Sequence, residues 1–256
     1  MASLLKQARA FKFDNSKAKL NQYYRFEKIF DRWIHSSNQQ VKGLPEQYFI
    51  VSGVTDALNQ LYGLYKKIGI FVGEYLYHQN VLGEKATTNL QEADCIVVSH
   101  PFSADGKSSH ERLKEADSFG VPIFVDCALF GICQGIDFDF EQYKNIHSVC
   151  FSLSKVFGTG LNRVGLLYTK DKFPCTIYNT WEYPLVVSAE YHYDLISTIG
   201  PDDMPAKYKD VQNKVCEELE LEPSPTVIFG LDYTDKYKEF KRGNVNRVCI
   251  TQYLER

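Results

Sequence analysis

Residues Phe151 to Gly165 read FSLSKVFGTGLNRVG. The apolar run from His147 to Ser152 has the character of a buried strand, and it delivers Lys155 just past its end. Two hydroxyls, Ser152 and Ser154, precede the lysine, and Arg163 follows beyond a Gly-x-Gly turn at Gly158 and Gly160. A lysine at a strand end is ordinarily a solvated surface residue. Its neighbours change that reading. An arginine offers a fork of donors to a dianion and hydroxyls add short hydrogen bonds, so the group reads as a phosphate site. A lysine held in a partly desolvated, cationic site has a depressed amine pKa, which favours Schiff-base formation with an aldehyde.

Working outward, short apolar runs recur at Gln47 to Val51, Ile68 to Val72, Cys95 to Ser99, Val121 to Asp126 and Val164 to Thr169. Between them lie helix-like segments, Thr55 to Lys67 and Ser108 to Ser118, the second closing on Phe119-Gly120. That rhythm predicts a parallel sheet wrapped by helices. In VPIFVDCALFG, Asp126 falls at the C-terminal end of a strongly apolar strand, the edge at which open α/β sheets bind ligands. A loop aspartate capping the next turn is the other reading of the same residue. Upstream, YFIVSGVTDALNQLY gives strand, the turn Ser52-Gly53-Val54-Thr55, then helix, and such a turn leaves free amides at a helix N-terminus, where a phosphate is favoured.

The segment S-x-S-K, then x-F-G, then R-x-G resembles the cofactor-lysine segment of the class I/II aminotransferases, the histidinol-phosphate aminotransferase-like branch included. The resemblance implies pyridoxal 5'-phosphate joined to Lys155 as a Schiff base, with Ser152, Ser154 and Arg163 holding its phosphate. It implies that Ser52, Gly53, Val54 and Thr55 form the phosphate cup, the last two through backbone amides. Asp126 would pair with the pyridine nitrogen and keep it cationic, and Ala128 would pack against one ring face. GEYLYHQ is similar to the family's P-x-Y segment, which would lay Tyr75 against the other face; a core aromatic is the alternative reading. SHPFSADG resembles the N-P-x-N-P-T-G loop, with Ser103 where an asparagine normally meets the cofactor's phenolic oxygen. GNVNRVCIT resembles the segment whose arginine grips the substrate α-carboxylate, here Arg247, although an exposed arginine at a strand start reads equally well. Leu129 stands where the family has a tyrosine, and Gly160 comes one place early.

The implied fold is the PLP fold-type I, aspartate aminotransferase-like α/β sandwich: a mostly parallel sheet between helices, with reduced N- and C-terminal small-domain parts. The expected divisions are residues 1–45, a helical segment with an aromatic-rich helix from Ser16 to Ser36; residues 46–175, the large cofactor-binding domain; and residues 176–256, a reduced subdomain. In the last part Asp202 to Leu221 reads as a charged helix, Pro223 to Pro225 as a break, and Arg247 to Tyr253 as a strand. The implied activity is amino transfer between an amino acid and a 2-oxo acid in a homodimer. Decarboxylation or elimination on the same cofactor, or an idle cofactor-binding domain, remain as alternatives because Leu129 and Ser103 depart from the family.

At 256 residues, 44% hydrophobic and 24% charged, the chain can bury a substantial core. A net charge of -3 gives no electrostatic reason to expect nucleic acid or an anionic membrane as partner, so a small substrate is expected. The glycine patterns G-x-G-x-x-G after a first strand and G-x-x-x-x-G-K-[ST] are both missing, which argues against a nucleotide-binding α/β protein. No apolar run approaches the roughly 20 residues of a membrane helix. The start MASLLKQARAFKF lacks a long apolar stretch followed by a small-residue cleavage site, and a cytoplasmic protein is expected. The seven cysteines include no CxxC pair and read as free thiols rather than metal ligands.

Overall fold

The computed structural model describes residues 17–171 and 186–254. Ser16, where the expected aromatic-rich helix starts, the thiol of Cys175 and the first thirteen residues lie outside the described residues. Helix α1 (Lys17–His35) is followed by strand β1 (Gln47–Val51), helix α2 (Val54–Leu64), strand β2 (Ile68–Ile70) and a short helix α3 (Leu76–Leu82). Next come β3 (Ala86–Thr87), β4 (Cys95–Ser99), helix α4 (His110–Ser118), β5 (Ile123–Cys127), β6 (Ile146–Ser152) and β7 (Gly165–Thr169). Helices α5 (Val186–Thr198) and α6 (Asp203–Leu219) lead to β8 (Glu222–Pro223), β9 (Phe229–Asp232), β10 (Lys241–Arg242) and β11 (Val245–Cys249).

The first seven strands form one sheet in the order β1-β7-β6-β5-β4-β2-β3. Every neighbouring pair is parallel except the two that β7 makes, with β6 and with β1. The sheet is thus mostly parallel, as expected, with β7 its antiparallel member. The reason is the link from Ser152 to Gly165, which holds turns and no helix, so the chain doubles back instead of crossing over.

Both faces of this sheet are covered, which is why the strands read as unbroken apolar runs. Ile96, Val98, Ile123, Val125, Val149 and Phe151 point into a core shared with Phe26, Phe30 and Trp33 of α1 and with Leu113 and Ala116 of α4. The alternate residues Cys95, Val97, Phe124 and Cys150 meet Ala57, Leu58 and Leu61 of α2 on the other face. Helix α1 lies on the sheet's own domain: Trp33 packs edge-on against Phe130 with ring centroids 5.7 Å apart, and its Nε1 donates to the Ile199 carbonyl at 2.7 Å.

Several element ends differ from the sequence reading. Strand β2 stops at Ile70, because Phe71 and Val72 leave the sheet for a turn at Gly73, whose φ is +96°; Val72 is 66% exposed. Helix α4 begins at His110, two residues late, since the Ser109 hydroxyl donates to the Ser99 carbonyl at 2.6 Å and does not cap the helix. The C-terminal strand is Val245–Cys249 and gives way to a 3-10 turn at Thr251–Tyr253. It belongs to a second, antiparallel sheet in the order β10-β11-β9-β8. Helix α6 packs there through Val215 and Cys216, and its buried Gln212 Nε2 donates to the carbonyls of Ser224, Thr226 and Phe229. Among the described residues no helix is long and apolar enough to cross a membrane, and the thiols are free, all of them buried except that of Cys249.

Candidate functional site

The C-terminal ends of β1, β2, β4, β5 and β6 share one sheet edge, and β7, running the other way, begins there. At that edge lies a cavity of about 270 Å3 lined by Val54, Thr55, Tyr75, Ser99, Pro101, Ser103, Asp126, Ala128, Leu129, Ser152, Ser154, Lys155, Gly160, Arg163 and Arg247. It gathers the residues singled out in the sequence from six separate segments. Ser52 and Gly53 are not among the lining residues. Two lining residues, Ser99 and Pro101, are not among those the sequence singles out; Ser99 is the last residue of β4, so the edge rule that locates Asp126 would also find it.

At one end the groups form a cradle. Gly53 holds φ at +75°, and a Cβ there would sit 3.3 Å from Arg163 Nε and 3.4 Å from Ser152 Oγ. Arg163 donates to Thr55 Oγ1 at 2.6 Å, while its buried Nε has no hydrogen-bond partner. The first amides of α2 also lack a carbonyl one turn back. An orphaned guanidinium N–H beside free amides and the hydroxyls of Ser152 and Ser154 fits a phosphate group. If the cradle takes the phosphate of pyridoxal phosphate, as the sequence resemblance implies, substituting Gly53 by alanine should raise the dissociation constant about tenfold, from the strain of an L-residue at positive φ and the push on Arg163. Fluorescence titration measures this, with Gly63→Ala, whose Cβ meets nothing within 4 Å, as the silent control.

Lys155 lines the same cavity and is exposed there, yet enough protein surrounds its amine that desolvation lowers its pKa, with Asp126 opposing the effect and Arg247 and Arg163 adding to it. Asp126, 5% exposed, accepts the Ala128 amide at 2.8 Å. Burial pushes its carboxyl up to about 6, against lowering by that amide and by Lys155. Such a carboxylate gains from a cation placed against it. Arg247 stacks over the Phe229 ring, 4.4 Å from its centroid, and donates to the Ser103 carbonyl; desolvation brings its pKa down to about 10. Tyr75 lies at the rim, 40% exposed, stacked on Tyr77 at 5.8 Å. Behind it, His78 Nδ1 meets the Tyr62 hydroxyl at 2.5 Å.

The raised Asp126 pKa has a consequence for stability. An acid whose folded pKa exceeds its unfolded value stabilises the fold below the unfolded pKa and loses that contribution as pH rises through the folded one. For Asp126 the window runs from 3.8 to about 6. In the cofactor-free protein, Asp126→Asn should therefore be neutral near pH 4 and gain up to about 3 kcal/mol over wild type by pH 8, read from urea unfolding. Glu27, pushed by burial to about 7, weakens wild type and variant alike over the same range; Glu74, also pushed up to about 7, is raised in part by the Asp126 charge, so its own loss is smaller in the variant and adds to the gain in the same direction.

No protein-family model matches the chain, and no curated protein does. Solved structures do. A probable N-succinyldiaminopimelate aminotransferase from Thermus thermophilus superposes with a TM-score of 0.71 at 12% identity, covering 99% of this chain and 88% of that one. The histidinol-phosphate aminotransferase from Clostridium acetobutylicum gives a TM-score of 0.63 at 15% identity, covering 92% of this chain and 86% of that one. The PLP-bound C-S lyase from Staphylococcus hominis gives 0.65 at 14% identity, covering 93% and 76%. With its mostly parallel seven-stranded sheet clad in helices and its cavity at the strands' C-terminal edge, the chain has the fold of the PLP-dependent fold-type I aminotransferases.

Proposed function

We propose that the protein binds pyridoxal 5'-phosphate covalently through Lys155 and transfers an amino group between an amino acid and a 2-oxo acid. The observation that carries this reading is the polar arrangement of the cavity: an unpartnered Arg163 Nε beside Gly53, and Lys155 near enough to the buried Asp126 for its charge to lower that carboxyl's pKa. When bound, the cofactor supplies an electron sink for the pair of electrons left at the substrate's α carbon.

The chain's own groups do the rest. Arg163, Ser152, Ser154 and the amides of Val54 and Thr55 hold the phosphate. Asp126 would pair with the ring nitrogen and favour its protonated form, and Ala128 and Tyr75 would pack against the ring. Arg247 grips the α-carboxylate with the guanidinium donors that Ser103 leaves free. Lys155, with its amine pKa lowered, is neutral over more of the ordinary pH range than a free lysine and carries the proton away from the α carbon.

Leu129, buried at 6% exposure, offers no hydroxyl to the cofactor's phenolic oxygen, which leaves Ser103 as the candidate donor. This departure, and the C-S lyase among the solved neighbours, favour elimination as a second reading. Loading the protein with pyridoxal phosphate and incubating it with each of the twenty L-amino acids separates the two. Transfer needs an added 2-oxo acid such as 2-oxoglutarate and yields its amino acid; elimination releases ammonia without one. Neither product from any amino acid would reject both, and release of carbon dioxide would then separate a decarboxylase from an idle cofactor-binding domain. A homodimer is part of the reading, and light scattering tests it.

A further inference from the structure

Glu74 is the middle residue of the Gly-Glu-Tyr segment, and its side chain turns inward. It is 3% exposed. Its two carboxylate oxygens accept three donors: the Ser99 amide at 2.7 Å on Oε1, and the Ser99 hydroxyl and the Tyr75 amide, at 3.2 Å, on Oε2. The Ser99 hydroxyl in turn accepts the Ser103 amide at 2.9 Å. Ser103 then receives Arg247 on its carbonyl. One buried carboxylate thus ties the end of β2 to the end of β4 and, through one hydroxyl, to the loop that carries Ser103. Ser99 is also the register partner of Asp126 across β4 and β5.

A buried carboxylate is costly unless its donors are in place, and here every donor belongs to a cavity wall. Simple packing at this turn needs no charge. Gly73 brings the turn against the same loop, since a Cβ there would lie 3.0 Å from Ala104 and 3.3 Å from Phe102. We propose that Glu74 is a positioning residue for the cavity: through Ser99 it sets the Ser103 loop, and thereby aims the Ser103 hydroxyl at the cofactor's phenolic oxygen. The inference rests on the cofactor reading above. The titratable groups whose fields couple to Glu74 are Asp126 and Tyr62.

The test uses the holoprotein loaded with pyridoxal phosphate and follows the pH midpoint of its visible band in wild type, Glu74→Gln, Ser99→Ala, Ser103→Ala and the double variant Glu74→Gln/Ser103→Ala. A donor to the phenolic oxygen lowers that midpoint, so losing its aim raises it, whereas losing a nearby negative charge lowers it. Each single variant should raise the midpoint by at least half a unit, roughly threefold in proton affinity. Glu74→Gln should add nothing once Ser103 is already alanine. A midpoint that falls in Glu74→Gln, or a shift that persists in the Ser103→Ala background, would show that Glu74 acts by charge and overturn the proposal. If Glu74→Gln does not fold, Ser99→Ala cuts the same relay with the carboxylate intact, and an unchanged midpoint there overturns it equally. A wild-type protein that takes up no cofactor refutes the cofactor reading instead, a result distinct from these.

Discussion

On the proposed function, replacing Lys155 by alanine should lower amino-group transfer by at least about four orders of magnitude, since the variant would lose both the covalent tether and the group that moves the proton. The loss belongs to the turnover number. The cradle of Arg163, Gly53, Ser152 and Thr55 is untouched, so affinity for pyridoxal phosphate should fall by no more than about tenfold, the worth of one strong interaction. Rates and cofactor titrations on the same samples check both halves. Added methylamine should restore part of the rate, because a free amine can enter the roughly 270 Å3 cavity and take up the proton in the missing side chain's place.

Asp126→Ala should be nearly as damaging. Its carboxylate is buried, held at one oxygen by the Ala128 amide, and pushed up to about 6 by desolvation, which leaves it eager for a cation. Removing one partner of a buried ion pair costs about 3–5 kcal/mol, or roughly two to three and a half orders of magnitude. That cost should appear mainly in kcat, since a ring nitrogen no longer held as a cation accepts electrons poorly from the α carbon. Asp126→Glu should recover part of the loss and Asp126→Asn little. An Asp126→Ala enzyme with unchanged kcat would remove Asp126 from the chemistry and leave it the turn-capping role that its bond to Ala128 also describes.

The large sheet was legible because it is buried on both faces. Runs such as Cys95–Ser99 and Ile123–Cys127 are apolar at every position or nearly so, and the intervening helices carry a clear period. Strand direction left no such trace. Periodicity is the same read forward or backward, and only the missing helix between Ser152 and Gly165 distinguishes the antiparallel β7. Strands β8 and β10, with two residues each, are too short to carry a period. The cavity was legible wherever chemistry fixes residue type: Lys155, Arg163, Asp126 and the Gly53 turn each have a physical reason to be what they are. Glu74 was not. A glutamate between Gly73 and Tyr75 looks like an exposed turn residue, and its burial depends on β4 arriving alongside, a tertiary fact with no local signature.

The most direct test is to load the protein with pyridoxal phosphate, reduce it with borohydride, digest it and locate the adduct by mass spectrometry. The account predicts one pyridoxyl-phosphate group per chain on the Nζ of Lys155, and none in Lys155→Ala. An adduct spread over surface lysines, or no adduct in a protein that remains folded, would contradict it and leave a fold without its cofactor.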